Sequence, residues 1–340
     1  MKIKTILTQV NHIPLKTPFA TALRRVDTVE FVRLFVTCED GSVGIGEAPA
    51  TFAITGENIE IILDSIERVK EKLIGAELDE CLEIIHATPI GSSAKAALDM
   101  AIITLLADSH KQTLLEYFDI KDTTPLMSDI TISLNPHARM LEDAQDACEK
   151  GMSVLKVKLG ADINHAIKIT QELAWKLPHA TLLIDANQAW SRESSLEYID
   201  AVKELKIELI EQPVLAKDLE SLKVITEASK IPILADEATF TLRDVKKVVE
   251  SKSANMINVK LMKCGGVTKA VEILEYAREQ GVKCMLGSML EGPYSINAAL
   301  YLAFAYRDVI EYIDLDSPLL YKEPSLELDF RFEGARIFLS

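Results

Sequence analysis

VLKVKL (154–159), LLIDAN (182–187), ELIEQP (208–213) and PILADE (232–237) are short apolar runs that recur at a nearly constant interval and carry polar side chains at their ends. Each is too short for a typical helix. An apolar interior with a polar exit suits a fully buried strand leading into a functional loop. ITISL (130–134) precedes them, and MINVKL (256–261), KCMLGSM (283–289) and VIEYIDLD (309–316) follow. The polar strand-end residues Thr131, Lys156 with Lys158, Asp185, Glu211, Asp236, Lys260, Ser288 and Asp314 form a ladder with steps of 24 to 28 residues. That leaves room for one strand and one helix per step. Pro136–Lys150, closed by Gly151, and Val267–Gln280, closed by Gly281, carry apolar residues at helical spacing. Eight strands separated by single helices predict a closed parallel barrel. Beyond the eighth strand, LELDF (326–330) and ARIFL (335–339) read as strands and not as a closing helix. The expected fold is therefore α/β, a modified TIM barrel of (β/α)7β type over residues 125–316.

Residues 1–124 do not follow the ladder. IKTILTQVNHIPL and TVEFVRLFVTCEDGSVGIGEAP read as antiparallel strands with a turn at Glu39–Ser42, followed by helices near Glu57–Leu73 and Ser92–Ser109. This predicts an α+β capping domain, with the segment 317–340 returning to it. The stretches 16–27 and 49–58 are expected to reach over the barrel mouth.

A formal charge of −15 argues against nucleic acid and anionic membranes as partners. Five scattered cysteines with no C-x-x-C pair read as reduced thiols. No apolar run approaches the length of a membrane span, and the expected location is cytoplasmic.

Active sites of such barrels lie at the C-terminal strand ends. Asp185, Glu211 and Asp236 end three consecutive strands there. Any one alone reads as a helix cap or a lysine partner, but three in register repel one another unless a cation sits between them. All-oxygen ligation favours Mg2+ or Mn2+ over zinc. Lys156 and Lys158, two apart on one strand, share a face. Lys260 lies four strands further round, across the barrel. A neighbouring cation, desolvation and a metal are all expected to lower a lysine pKa towards that of a base. Bases on both faces of a carbon next to a metal-bound carboxylate imply racemisation or epimerisation. None of the six histidines falls at a strand end, so they read as surface or packing residues.

KVK (156–158), DAN (185–187), EQP (211–213), Ala235-Asp236-Glu237, NVKLMKCGG (258–266) and GIGEAP (44–49) together resemble the muconate-lactonising subgroup of the enolase superfamily, nearly end to end. The resemblance implies one Mg2+ (Mn2+ as the alternative) per subunit on Asp185, Glu211 and Asp236. It implies Lys158 and Lys260 as acid/base pair, facing the R- and S-configured protons respectively, and Lys156 as neighbour of the substrate carboxylate. Asp314 and Asp316 lie two apart on the eighth strand, and Pro318 weakens a helix-cap role for them. The pair is similar to the Asp-x-Asp that holds the free α-ammonium group in dipeptide epimerases. Ser288, Met289, Leu290 and Glu291 match that family's substrate-contact segment, and Thr131 and Arg24 match contacts from strand one and the capping loop.

The expected function is a Mg2+-dependent dipeptide epimerase that inverts the C-terminal residue's α-carbon by two-base 1,1-proton transfer through a metal-stabilised enediolate, of L-Ala-D/L-Glu type or broader. o-Succinylbenzoate synthase, N-acylamino-acid racemase and muconate cycloisomerase are the alternatives within the same chemistry. A silent metal-binding scaffold is the alternative outside it. The expected partner is a small dipeptide, with homo-oligomerisation left open, and the capping stretches carry no pattern that selects an acidic or an apolar side chain.

Overall fold

A computed structural model describes residues 1–340. Eight parallel strands run in sequence order round one sheet: Ile130–Ile132, Val154–Lys158, Thr181–Asp185, Ile207–Glu211, Ile233–Ala235, Met256–Val259, Lys283–Gly287 and Ile310–Asp314. They are called barrel strands one to eight below. Strand eight meets strand one through a parallel bridge between Ser128 and Ile313, and the Asp129 N–H donates to the Ile313 carbonyl at 3.0 Å. The interior is filled at its lower end by Leu183, Leu209, Leu234, Met256 and Met285, as layered barrel packing requires. A much larger apolar core lies between strands, helices and cap.

The ladder is in register. Thr131 pairs with Lys156, Lys158 with Asp185, Asp185 with Glu211, and Gly287 with Asp314. The expected helices are present as His137–Glu149 and Val267–Gln280. Gly281 supplies the left-handed residue that ends the second, at φ 65°.

The cap opens with a three-stranded antiparallel sheet, Ile3–Ala20, Arg25–Cys38 and Val43–Pro49. The 16–27 stretch is therefore mostly the end of a long hairpin, with only residues 21–24 forming its tip. Helices Ile59–Leu73, Leu78–Ala87 and Ser92–Ser109 follow, the middle one unforeseen. The third packs directly on the sheet: a Cβ on Gly46 would lie 1.8 Å from the Ala97 carbonyl oxygen, so only glycine permits the approach.

The tail behaves in two ways. Leu15 bridges Tyr321, and Arg33 in the cap sheet grips Glu327 with two bonds of 2.7 Å. The last hairpin, Phe330–Glu333 with Arg336–Leu339, instead pairs with Leu126–Met127 just before barrel strand one. No helix of the protein is long and apolar enough to cross a membrane, and all five cysteines are free.

Candidate active site

The barrel strands leave a cavity of about 560 Å³, counting its open mouth, at their C-terminal ends. Lys158, Asp236, Lys260, Thr131, Asp314 and Asp316 line it from below, with Ser288, Met289 and Leu290 on one side. The cap contributes Phe19, Thr21, Leu23, Arg24 and Ile54, so both stretches expected over the mouth reach it. No histidine lines the cavity. His86 is paired with Asp99 at 2.9 Å and His137 with Glu172 at 2.6 Å, away from the mouth.

The three strand-end carboxylates are buried and each meets a lysine. Lys158 donates to Asp185 Oδ2 at 2.5 Å and Lys260 to Asp236 Oδ2 at 2.7 Å. Lys156 lies 2.7 Å from Glu211 Oε2 and 3.5 Å from Asp185 Oδ2. The Glu211 oxygen nevertheless lacks a well-directed hydrogen bond. Its other oxygen accepts from Asn258 Nδ2 at 2.8 Å. The chain turns sharply after Glu211, with Gln212 at φ 37°, an uncommon left-handed conformation for a side-chain-bearing residue. Gln212 Oε1 accepts from the Asp236 and Ala238 N–H groups at 2.9 and 3.1 Å, which ties two of the carboxylate-bearing strand ends together.

The carboxylates that face Lys260 and Lys156 keep both of these lysines charged. Burial disfavours the charge on Lys260, but Asp236 and Glu211 outweigh burial and Lys156, and its pKa is raised. Burial likewise opposes the Lys156 charge, and Asp314, Glu211 and Asp185 hold that ammonium well above its usual range. Burial pushes Glu211 up to about 7, with Asp185 adding to it. Asp236 feels the same burial, yet Lys260 and Lys263 drive it below the ordinary carboxylate range.

Two expected contacts are differently placed. Lys156 is fully buried beneath the cavity and does not line it. Its nearest partner is Asp314 Oδ2 at 2.6 Å. A lysine two positions earlier in the strand sits one layer lower, where it faces Asp314, Glu211 and Asp185. Glu291 also stays off the wall and turns back to accept from the Met289 N–H at 2.7 Å. By contrast Asp314 and Asp316 both reach the cavity, with Asp316 Oδ2 accepting from the Thr131 N–H at 2.6 Å. Of the two neighbouring arginines, Arg24 lines the cavity with no carboxylate of the chain beside it, and burial lowers its pKa to about 10. Arg25 points outside and donates to Asn135.

Several residues of this cluster escaped the sequence reading. Lys263 donates to the Asp236 carbonyl and Oδ1 at 2.6 Å each and to the Asn258 carbonyl at 2.8 Å. Its signal was present, since it follows Lys260 by one turn of the short helix Leu261–Cys264. Asp129 is also buried, and one oxygen each of Asp129, Asp314 and Asp316 lies within 4.8 Å of the other two.

Comparison with known proteins agrees with this architecture. Residues 139–340 match the family model "Enolase C-terminal domain-like", and residues 2–118 match "Mandelate racemase / muconate lactonizing enzyme, N-terminal domain". The chain belongs to the mandelate racemase/muconate lactonizing enzyme family. Within that family, it is 60% identical over 338 residues to an L-amino acid-D/L-Glu epimerase of Sulfurimonas denitrificans, covering 99% of both chains. The substrate-liganded L-Ala-D/L-Glu epimerase of Bacillus subtilis superposes with a TM-score of 0.96 at 36% identity, over 100% of this chain and 97% of that one. The dipeptide epimerase of Enterococcus faecalis, complexed with Mg and L-Leu-L-Tyr, superposes at 0.92 with 29% identity, over 100% and 98%.

Proposed function

We propose that this mandelate racemase/muconate lactonizing enzyme family member is a Mg2+-dependent dipeptide epimerase, an isomerase that inverts the α-carbon of the C-terminal residue. The observation that carries the reading is the cavity wall. Lys158 at the end of strand two and Lys260 just past strand six, four strands round the sheet, line it together with Asp314 and Asp316. The similarity to named dipeptide epimerases supports it.

Asp185, Glu211 and Asp236 are the residues that would hold the cation. The fit rests on an all-oxygen donor set, on the Glu211 oxygen that lacks a directed partner, and on the lysine ammonium groups already drawn to these carboxylates. A divalent cation there would compete for the carboxylates that now keep the lysines charged, and would stabilise negative charge on the substrate's carboxylate as its α-proton leaves. Lys158 is assigned the R-configured proton and Lys260 the S-configured one; when one removes a proton the other returns one to the opposite face. Lys156 neutralises Glu211 and Asp314 from below. Asp314 and Asp316 take the free ammonium group, for which an N-acylated substrate has no equivalent; this favours a dipeptide over the N-acylamino-acid and o-succinylbenzoate alternatives. Arg24, a cavity-lining guanidinium without a carboxylate, supports an acidic side chain on the inverted residue. In the same reading, residues 125–316 are the catalytic barrel, 1–124 the cap that selects substrate, and 317–340 the segment that fastens the two.

Incubation of L,L-dipeptides with the protein and Mg2+ in D2O tests this reading, with α-proton exchange followed by NMR. L-Ala-L-Glu is expected to exchange and to yield its L,D epimer. Absence of exchange in every dipeptide would refute the assignment.

A further inference from the structure

We propose that Asp129 is a positioning residue of the subsite formed by Asp314 and Asp316, serving it as a neutral carboxyl that shares its proton with those two carboxylates. The inference rests on the reading of Asp314 and Asp316 as acceptors of the substrate's ammonium group. Asp129 precedes Thr131 by two residues, and its N–H donates to Ile313 on strand eight where the barrel closes. That places its carboxyl against the two aspartates, with one oxygen of each within 4.8 Å of the others.

The three carboxyls are unequally provided for. Asp314 Oδ2 receives Lys156 at 2.6 Å, and Asp316 Oδ2 receives the Thr131 N–H at 2.6 Å. Asp129 is only 1% exposed, and neither of its oxygens has any donor. It does not line the cavity, so it acts through its neighbours and not on the substrate.

Charge balance fixes its state. The lysine that touches the trio, Lys156, is shared with Glu211, so three ionised carboxylates there would lack compensation in the barrel interior even beside a substrate ammonium. Carboxyls so close together do not all ionise, and the proton stays where the anion has least support. Asp129 is that group. Burial, then Asp314 and Asp316, raise its pKa against the opposing pull of Lys156. A protonated carboxyl has one O–H to donate. The remaining lone pairs of Asp314 and Asp316 are its acceptors, and a bond to either fixes that carboxylate's orientation towards the cavity.

The test compares Asp129→Val, Asp129→Asn and Asp316→Asn for kcat and KM on L-Ala-L-Glu, thermal midpoint, and Mg2+ bound per chain by calorimetry. Val removes the donor while keeping similar bulk. It is expected to raise KM about tenfold with little change in kcat, the scale of one charge-assisted hydrogen bond. Its midpoint is expected not to fall, since a buried polar group is removed as well. Asn, a neutral donor of the same shape, is expected to restore most of the lost affinity. A KM as poor in Asp129→Asn as in Asp129→Val overturns the proposal, because the charge would then be what matters. An unchanged KM in Asp129→Val overturns it too. A second Mg2+ per chain that both Asp129 variants lose would make the trio a cation site and overturn it likewise. Asp316→Asn separates the failures: an unchanged KM there refutes the ammonium reading itself. A raised KM there, beside an unchanged KM in Asp129→Val, refutes only the role of Asp129.

Discussion

Replacing Asp316 by Asn removes one charge from the cavity wall while keeping an oxygen for the Thr131 N–H, which reaches Asp316 Oδ2 at 2.6 Å. Local structure is therefore expected to survive. The amide's NH2 takes the place of the second oxygen and presents a donor where an ammonium group requires an acceptor. A hydrogen bond to a charged group contributes about 1.5–3 kcal/mol, which converts to a loss of roughly 10- to 150-fold in kcat/KM. The ammonium lies one residue away from the carbon that reacts, so it is held equally before and during proton transfer. The loss should accordingly fall on KM and leave kcat nearly intact. Progress curves of L-Ala-L-Glu epimerisation with saturating Mg2+, followed by polarimetry, measure both constants. A KM within threefold of the parent would refute the reasoning, as would a loss confined to kcat.

Other consequences are open to direct measurement. Burial and the nearby Asp314 raise Asp316 to about 6; it is neutral below that value and accepts an ammonium poorly there. KM for a dipeptide should climb as pH falls through about 6, and a KM flat from pH 5 to 7 would contradict this. Arg24→Met should raise KM for L-Ala-L-Glu about tenfold and leave L-Ala-L-Leu unaffected, so equal losses on both dipeptides would rule out its role with acidic side chains. Lys263→Met strips donors from the Asp236 carboxylate and from two carbonyls. Asp236 keeps Lys260, so the expected cost is that of the lost donors, about 1–3 kcal/mol, and a change well below about 1 kcal/mol in urea unfolding would show that Lys263 adds little.

The barrel was legible because its signal is periodic. Every buried strand carries a polar residue at or next to its end after a nearly fixed interval, and backbone pairing keeps Lys158, Asp185 and Glu211 in one row. The cap was legible where strands alternate and where helices are long; in the short helix Leu78–Ala87 the buried Leu78, Cys81 and Ile85 do fall at helical spacing, but over fewer than three turns. The site divides the same way. Residues that end strands could be found by counting, whereas Asp129, Gln212 and Asn258 matter through partners brought near by barrel closure. The charge state of Lys156 and Lys260 depends on which carboxylates stand beside them, and distance across a barrel is not written in sequence separation.

The central claim is that Lys158 and Lys260 work on opposite faces of one carbon. It is tested most directly by following α-proton exchange in D2O with Mg2+ for Lys158→Ala and Lys260→Ala, each offered L-Ala-L-Glu and L-Ala-D-Glu separately. Lys260→Ala should still exchange the D-configured residue through Lys158, and Lys158→Ala the L-configured one through Lys260, with neither variant producing the other epimer. Continued epimerisation in either variant, or loss of exchange from the face whose lysine remains, would contradict the account.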